Sequence, residues 1–376
     1  MKILISGGGT GGHIYPAIAI ANELRERHPD WIIEFAGRHN SIEGRVVPPA
    51  GYVIHNLHVA GYERYYSFFE KLSVIGRLAV SLKDSLVLLR KIKPDIVIGT
   101  GGFICGPILY VSGLKKIPTL ICEQNVIPGF TIKTLSKRAD VVCTAYEETS
   151  KYMVHPERCV VTGNPVRKDF ATIGRNEART SLNLADGCRM ILSFGGSLGA
   201  KTINDSVADM IAALKDRSDF YFYHITGRSS HEEFMDRMHE AGVDSDQMKN
   251  VTIAEYSNEM PTLLHAADLV IARSGAMTIS EINYVGVPAI YSPYPFAAND
   301  HQMKNARASE RAGGSITIAD EDLTGEKLIE TIRELYADPD RLAGMAKCSA
   351  QLGIRNSAER ICEQAEHLLV QRMNAK

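Results

Sequence analysis

The sequence lacks several features that would place it in a specialised class of protein. Its seven cysteines are scattered and form no CxxC pair, which argues against a disulfide framework or a zinc site and for reduced thiols. No run approaches the roughly 18 apolar residues that span a bilayer. The opening MKILIS is too short for the apolar core of a secretory signal. We therefore expect a cytoplasmic protein whose contact with any membrane is peripheral.

The chain also has no large excess of charge of either sign. Its 42 Lys and Arg residues nearly balance 44 Asp and Glu residues, giving a formal net charge of -2, so no nucleic-acid partner is expected. What it does have is length and apolar content. With 376 residues, of which 45% are hydrophobic, it can build two separate cores.

Short apolar runs alternate with helical patterns along the whole chain. The runs that predict strands are 2–6, 31–37, 94–102, 119–122, 140–145, 220–227, 251–256, 268–275 and 287–295. Their apolar residues are continuous rather than alternating, which predicts parallel sheets with helices on both faces. The opening pattern of strand, glycine turn and amphipathic helix returns at 189–211.

We therefore predict two doubly wound α/β domains. The first spans 1–163 and the second 164–356, and GNPVRKDF at 163–170 is the predicted linker, because its Asn-Pro breaks regular structure. The final segment, 357–376, is predicted as a helix that could pack back on the N-terminal domain.

A glycine loop follows the first strand of each predicted domain, GGGTGGH at 7–13 and FGGSLGA at 194–200. Glycine lets a phosphate or sugar approach the backbone, and the next helix offers unpaired N–H groups. No GK[ST] follows, which excludes a P-loop. A dinucleotide site would need an acid where Gly37 and Arg38 end the second strand, so that interpretation is weakened but stays open.

The other strand ends are polar. They carry TGGFICGP (100–107), EQNVIPG (123–129), RSGAMTISE (273–281) and PYPFAANDHQMKNA (293–306). These segments offer hydroxyl and amide groups but few cations, and no carboxylate cluster for a metal. Because ligands of parallel sheets bind beyond the carboxyl ends of the strands, two such sheets facing each other would form a cleft for a polyhydroxylated ligand with a phosphate.

At this level of detail the chain resembles a known family. Seven motifs carry the resemblance in order: GGGTGGHIYPA (7–17), PDIVIGTGGFICGP (94–107), ICEQNVIPG (121–129), TGNPVR (162–167), FGGSLGA (194–200), ARSGAMTISE (272–281) and DHQMKNA (300–306). The family is that of the bacterial UDP-N-acetylglucosamine:N-acetylmuramyl-(pentapeptide) pyrophosphoryl-undecaprenol N-acetylglucosaminyltransferases, the MurG family. These enzymes convert lipid I to lipid II in peptidoglycan synthesis.

The resemblance implies a GT-B fold, in which two Rossmann-like domains face an interdomain cleft. It also implies an inverting transfer that needs neither a metal nor another cofactor. The C-terminal domain would hold UDP-N-acetylglucosamine and the N-terminal domain the lipid acceptor. Carried over by motif, the donor-binding residues are Thr10, Gly11, Gly12, Asn125, Arg167, Ser197, Ser257, Ala276, Met277, Thr278, Glu281 and Gln302, with His301 beside the last.

The transfer needs a base for the acceptor's 4-hydroxyl and a stabiliser for the departing UDP. His13 is the candidate base, because it follows the glycine loop and imidazole titrates near working pH. It could instead cap the helix beginning at Tyr15 or orient the loop. Glu123 is the rival base or an orienting group. Plainer interpretations stay open for Arg167 as a surface cation, Glu281 as a first-turn acid and Gln302 as a loop cap.

The segment GRHNSIEGRVVP (37–48) departs from the family pattern. Arg38 stands where the family has threonine and Ser41 where it has glycine, while Glu43 is retained. The departure concerns the acceptor-side loop.

A lipid acceptor without a membrane span implies docking at the cytoplasmic face of the cell membrane. The segment 65–93 combines apolar residues with cations, as an anionic inner leaflet would attract. The apolar residues are Phe68, Phe69, Leu72, Ile75 and Leu78, and the cations are Lys71, Arg77, Lys83, Arg90, Lys91 and Lys93. An ordinary core-facing helix is the alternative. The resemblance alone implies that this protein could take part in a cell-wall synthesis complex.

Three other functions fit the same cleft. The chain could be a GT-B transferase for a different sugar or lipid, such as a diacylglycerol glycosyltransferase. It could be an isomerase of the UDP-N-acetylglucosamine 2-epimerase type, which needs no acceptor. It could also bind a nucleotide sugar without catalysis.

Overall fold

The computed structural model describes residues 1–59, 68–244 and 247–374, together with the side chains of these residues except those of 68–75. The chain forms two compact units. One consists of Met1–Arg167 and Arg355–Lys376, and the other of Lys168–Ile354. We call them the N-terminal and C-terminal units.

The N-terminal unit is built on a seven-stranded parallel sheet of order β3-β2-β1-β4-β5-β6-β7. Its strands are β1 (Lys2–Ser6), β2 (Ile32–Gly37), β3 (Val53–Asn56), β4 (Ile96–Gly99), β5 (Thr119–Glu123), β6 (Val141–Thr144) and β7 (Cys159–Val161). Its helices are α1 (Gly11–Arg27), α2 (Ile42–Val46), α3 (Phe68–Ile92), α4 (Cys105–Leu114), α5 (Phe130–Leu135) and, from the end of the chain, α14 (Ser357–Asn374).

The C-terminal unit is built on a six-stranded parallel sheet of order β10-β9-β8-β11-β12-β13. Its strands are β8 (Arg189–Phe194), β9 (Phe220–Ile225), β10 (Val251–Ala254), β11 (Leu269–Ala272), β12 (Ala289–Tyr291) and β13 (Ser315–Thr317). Its helices are α6 (Arg175–Ser181), α7 (Lys201–Leu214), α8 (His231–Glu240), α9 (Met260–Ala266), α10 (Ala276–Val285), α11 (His301–Arg311), α12 (Gly325–Ala337) and α13 (Pro339–Leu352).

Both faces of the N-terminal sheet are covered, which explains the continuous apolar strands. Successive residues of β1 point to opposite faces. Ile3 and Ile5 pack in the cluster that contains residues of α1 and α14, whereas Leu4 packs in the cluster with α3 and α4. The predicted parallel α/β architecture is therefore confirmed in this unit. All strand pairs of the C-terminal sheet are also parallel, as predicted.

The structure corrects the predicted elements in two respects, the edge strands and the start of α1. Three strands were not predicted, β3, β7 and β13, and all three lie at sheet edges, where a short segment need not be continuously apolar. Helix α1 begins at Gly11 rather than near Tyr15, so Pro16 lies in its second turn. His13 is therefore the third helical residue and does not cap the helix.

The last helix returns to the N-terminal unit. Ile361, Cys362, Ala365 and Leu369 of α14 are buried in the same cluster as the apolar face of α1. Arg372 Nη1 also donates to the carbonyl of Asp95 at 2.7 Å. The N-terminal core is therefore completed by the final residues of the chain.

Candidate active site

The glycine loop of the N-terminal unit lies at the carboxyl edge of its sheet. Strands β1, β4 and β5 are neighbours there, and the strand order reverses between β1 and β4, which is where ligands of such sheets bind. The loops 7–10, 100–104 and 124–129 therefore lie next to one another. Among the described side chains none caps α1, and its first turn carries no acid, so its N-terminus suits an anion.

His13 is held against the loop that follows β4. Its carbonyl accepts a hydrogen bond from Thr100 Oγ1 at 2.8 Å. Gly101 has a φ of +105°, and a Cβ at that position would lie 2.6 Å from His13 Nδ1. Glycine is therefore required at 101 both for its backbone conformation and for the space that the imidazole occupies.

The sequence did not single out Gln124, which is the side-chain partner of His13. Gln124 Oε1 lies 3.2 Å from His13 Nδ1, and its Nε2 donates to the Thr100 carbonyl at 2.8 Å. The side chain is buried. Its position next to Glu123 in CEQN was the available signal, but no pattern in the sequence links it to a residue 111 positions away.

Glu123 is buried at the end of β5 and bonds to its own loop. One carboxylate oxygen accepts from the backbone N of Asn125 at 2.9 Å and from Asn125 Nδ2 at 3.0 Å, and the other accepts from Gly129 N at 3.0 Å. Burial raises the pKa of Glu123, and these hydrogen bonds oppose that rise. The geometry favours the orienting role over the role of base.

Glu43 is a second residue next to the glycine loop. The sequence identified it only as a residue retained from the family pattern. It is completely buried behind the glycine loop. Its carboxylate accepts from Gly9 N at 3.2 Å and from Arg38 N at 3.3 Å. Arg38, the residue that departs from the family pattern, lies with its guanidinium 5.1 Å from the centre of the Phe103 ring. Glu43 therefore joins the segment 37–48 to the glycine loop.

In the C-terminal unit, two glycine turns at the carboxyl edge pack against each other. Gly199 follows β8 with a φ of +85°, and Gly227 follows β9 with a φ of +83°. A Cβ on either residue would collide with the backbone of the other turn. Ser197, on the tip of the first turn, is exposed, as a ligand contact requires.

Helix α10 begins directly after the loop that follows β11. Ala276, Met277 and Thr278 form its first turn, and no described side chain caps that turn or places an acid in it. The exposed N–H groups make this helix N-terminus suitable for a phosphate. Glu281 lies in the second turn, so the interpretation of Glu281 as a first-turn acid is wrong.

Gln302 connects the loops after β11 and β12. Its carbonyl accepts from the buried Ser274 Oγ at 2.9 Å, and its Oε1 accepts from Tyr294 N at 3.0 Å. Its Nε2 has no partner among the described residues and can donate to a ligand hydroxyl. The neighbouring His301 Nδ1 donates to the Ala298 carbonyl at 2.7 Å, which leaves the lone pair at Nε2 when the ring is neutral.

The remaining predicted residues lie at the same strand ends. Thr10 is exposed immediately before α1, and Gly11 and Gly12 open that helix. Arg167 is the last residue of the first segment of the N-terminal unit. Ser257 follows β10, and its Oγ accepts from Glu259 N at 3.1 Å. The structure thus places Thr10, Gly12 and His13 at the start of α1 in one unit, and Ser197, Ser257, Ala276 and Gln302 after strands β8, β10, β11 and β12 in the other.

A cavity of about 500 Å³ opens at the opposite edge of the C-terminal sheet. It is lined by Arg175, Arg189, Asp268 and Tyr336, among others. Asp268 there accepts hydrogen bonds from Arg175, Arg179 and the backbone N of Met190. The cavity lies at the amino ends of the strands, away from the glycine loops.

Two family models match the chain. The glycosyltransferase family 28 N-terminal domain matches residues 3–144, and the glycosyltransferase family 28 C-terminal domain matches residues 190–361. The chain is also 38% identical, over 98% of its own length and 98% of the relative's, to the UDP-N-acetylglucosamine--N-acetylmuramyl-(pentapeptide) pyrophosphoryl-undecaprenol N-acetylglucosamine transferase of Desulforudis audaxviator. The chain belongs to glycosyltransferase family 28.

Solved structures share the fold of this chain. MurG of Acinetobacter baumannii superimposes with a TM-score of 0.76 and 26% identity, covering 97% of this chain and 99% of that one. A UDP-GlcNAc 2-epimerase of Neisseria meningitidis superimposes with a TM-score of 0.68 over 98% of this chain and 100% of its own, but at 17% identity it shows a shared fold alone. The predicted two-domain α/β fold of GT-B type is confirmed for this family 28 glycosyltransferase.

No described helix combines the length and the apolar character needed to cross a membrane. Within the same residues, no group of three or more His, Cys, Asp and Glu side chains is placed to hold a metal ion.

Proposed function

We propose that this chain moves N-acetylglucosamine from UDP-N-acetylglucosamine to the 4-hydroxyl of the N-acetylmuramoyl-pentapeptide of undecaprenyl-pyrophosphate-linked lipid I, giving lipid II. The observation that carries the proposal is the full-length similarity to a relative named for this transfer. The polar strand ends and helix N-termini of both units support it, since they suit a donor that combines sugar hydroxyls with phosphates.

His13 is the proposed general base. In an inverting transfer, the acceptor's 4-hydroxyl oxygen forms a bond to C1 of N-acetylglucosamine while the bond from C1 to the UDP oxygen breaks. The hydroxyl proton passes to the imidazole of His13, and the bonding electrons leave with UDP. The helical position of His13 and the hydrogen bond from Thr100 Oγ1 to its carbonyl fix its backbone, and Gln124 Oε1 lies 3.2 Å from the ring; these contacts support the role, because a base must be held in one orientation.

The departing UDP carries the charge that must be stabilised. The proposed stabilisers are the first turn of α10, with Ala276, Met277 and Thr278, and the backbone N–H groups around Ser197. Arg167 would add a charged partner. The uncapped start of α10 supports this assignment. Glu281 would bond the ribose, and Ser257 would pack against the uracil.

The sugar contacts are proposed for Gln302 and Asn125. Gln302 fits because its Oε1 accepts a hydrogen bond from Tyr294 N, whereas its Nε2 has no hydrogen-bond partner among the described residues. Asn125 is oriented by Glu123, so we assign Glu123 a positioning role. Thr10, Gly11 and Gly12 would approach the donor's diphosphate or sugar at the start of α1.

We propose further that the protein acts as a peripheral protein at the cytoplasmic face of the cell membrane. Helix α3 supports this, because residues 76–80 are all exposed, and Leu78 and Val87 leave 50% and 55% of their surface in solvent. The cations Arg77, Lys83, Arg90, Lys91 and Lys93 are exposed along the same segment. The side chains of Phe68, Phe69, Lys71, Leu72 and Ile75 lie outside the described residues.

Vesicle sedimentation tests the membrane contact. Vesicles with phosphatidylglycerol should bind the wild type better than vesicles of phosphatidylcholine alone, and Leu78→Glu with Val87→Glu should abolish the difference. Val370→Glu with Met373→Glu is the matched control, since it adds the same two charges at similarly exposed apolar residues of α14. Equal binding of all variants would remove α3 from the contact.

A transfer assay tests the activity. Radiolabelled N-acetylglucosamine should pass from its UDP conjugate to a lipid I analogue. His13→Ala should lower kcat with little change in the KM for the donor, and Gln302→Ala should mainly raise that KM. Turnover with UDP-glucose or UDP-galactose but not with UDP-N-acetylglucosamine would refute the donor. Epimerised UDP-sugar without any acceptor would show an isomerase, and UDP binding without transfer would show a binding protein.

A further inference from the structure

The imidazole of His13 has two nitrogens, and only the one without a proton can act as a base. The sequence does not specify which nitrogen that is. The hydrogen bonds of Gln124 specify it, because one end of that amide has a partner that can only accept.

The orientation of the Gln124 amide follows from Thr100. The Thr100 carbonyl oxygen has no proton, so the group 2.8 Å away must be the amide NH₂ of Gln124. The opposite end, Oε1, therefore faces His13 Nδ1 at 3.2 Å. An amide oxygen can only accept, so Nδ1 must carry the proton, and the lone pair of the neutral ring lies at Nε2.

Gln124 is itself held rigidly. It is 2% exposed, and its backbone carbonyl accepts from Asn164 Nδ2 at 3.1 Å. Thr100 bonds to both partners, donating from Oγ1 to the His13 carbonyl and accepting from Gln124 at its own carbonyl. Turning the amide around would place its NH₂ against Nδ1 and its oxygen against the Thr100 carbonyl, losing a buried hydrogen bond.

We propose that Gln124 is a positioning residue for the transfer, which holds His13 in the Nδ1–H tautomer and so presents Nε2 as the base. This inference rests on the proposed role of His13. A neutral amide suits this task, since it orients the ring through a hydrogen bond without adding a negative charge that would favour the imidazolium ion.

Two variants separate the acceptor function of Gln124 from simple packing. Gln124→Met has a similar length but no acceptor for Nδ1–H. It should lower kcat by about 10- to 100-fold with little change in the KM for UDP-N-acetylglucosamine. Gln124→Glu restores the acceptor for Nδ1–H but, like Gln124→Met, loses the donor to the Thr100 carbonyl, so it should recover only part of kcat. Its carboxylate also stabilises the imidazolium, so the acidic limb of its kcat against pH profile should move to higher pH.

The ¹⁵N chemical shifts of the His13 imidazole give a readout independent of activity, with His13→Gln used to assign the resonances. The wild type should show the Nδ1–H tautomer, and Gln124→Met should show a mixture of both tautomers. An Nε2–H ring in the wild type would overturn the inference. So would Gln124→Met with wild-type kcat and tautomer, provided that His13→Ala is inactive. An active His13→Ala enzyme would instead refute the base role itself.

Discussion

Single buried carboxylates hold the backbone of the candidate active site in place. Glu43 accepts from the N–H groups of Gly9 and Arg38, in two segments that are far apart in sequence. Glu123 does the same within the loop after β5. A glycine loop has no side chains with which to fix itself, so a carboxylate behind it performs that task.

Glu43→Ala should lower the free energy of unfolding of the N-terminal unit by about 1–3 kcal/mol, because it leaves two N–H groups without their acceptor. Glu43→Gln keeps one acceptor oxygen at nearly the same size and should lose less. Urea unfolding followed by the fluorescence of Trp31, the single tryptophan, measures the change in this unit. If Glu43→Ala unfolds at the urea concentration of the wild type, the carboxylate does not hold the loop.

His224 is predicted to make the C-terminal unit sensitive to acid. Burial lowers the pKa of His224 to about 3. In the unfolded chain the pKa of this imidazole is near 6.5. Below that pH the unfolded state therefore binds a proton that the folded state does not bind. This contribution to stability is complete above pH 6.5 and is lost as the pH falls toward 3, by about 1.4 kcal/mol per pH unit.

His224→Gln tests the pH dependence, since glutamine does not titrate and can still bond to Ser193, the partner of His224 Nδ1. Calorimetry between pH 7 and pH 4 should show a flatter decline in stability for the variant than for the wild type. Parallel declines would show that His224 is not the group responsible. The surface carboxylates contribute equally to both proteins and cancel in the comparison.

At the scale of elements, the sequence predicted what is local and repeated. Continuous apolar runs identified the central strands, and the glycine loops identified the ends of β1 and β8. The edge strands β3, β7 and β13 were not predicted, because CVV and SIT have only three residues each and half of VIHN is polar. Gln124 and Glu43 escaped for a different reason. Their partners Gly9, His13 and Thr100 lie in the glycine loop, in α1 and in the loop after β4, and no periodicity in one segment reports a hydrogen bond to another segment.

Helix α14 illustrates how a distant element stabilises a unit. Ile361→Ala should lower the free energy of unfolding reported by Trp31 by about 2–5 kcal/mol, because the removed side chain is fully buried against the α1 face. Val370→Ala, on the same helix but 48% exposed, should change it by no more than about 0.5 kcal/mol. Equal effects of the two variants would contradict the packing of α14 in this core.

At the scale of the whole molecule, the chain divides its predicted chemistry between two cores. The proposed base and its positioning residues belong to the N-terminal unit, whereas most of the proposed nucleotide contacts belong to the C-terminal unit. Binding stabilises the unit that holds the ligand by mass action. The two units should therefore respond differently to UDP, and Trp31 reports on the N-terminal unit alone.

UDP at about 100 times its Kd should stabilise the C-terminal unit by about 2.7 kcal/mol. Calorimetry should show one transition moving to higher temperature, while the transition followed by Trp31 fluorescence moves much less. Ala276→Asp should abolish the shift, because it places a negative charge where the phosphate would meet the start of α10. Gly344→Asp is the matched control, since it adds the same charge at an exposed position of α13 with no neighbour near its Cβ. A shift confined to the Trp31 transition, or one that survives Ala276→Asp, would assign the nucleotide to a different part of the chain.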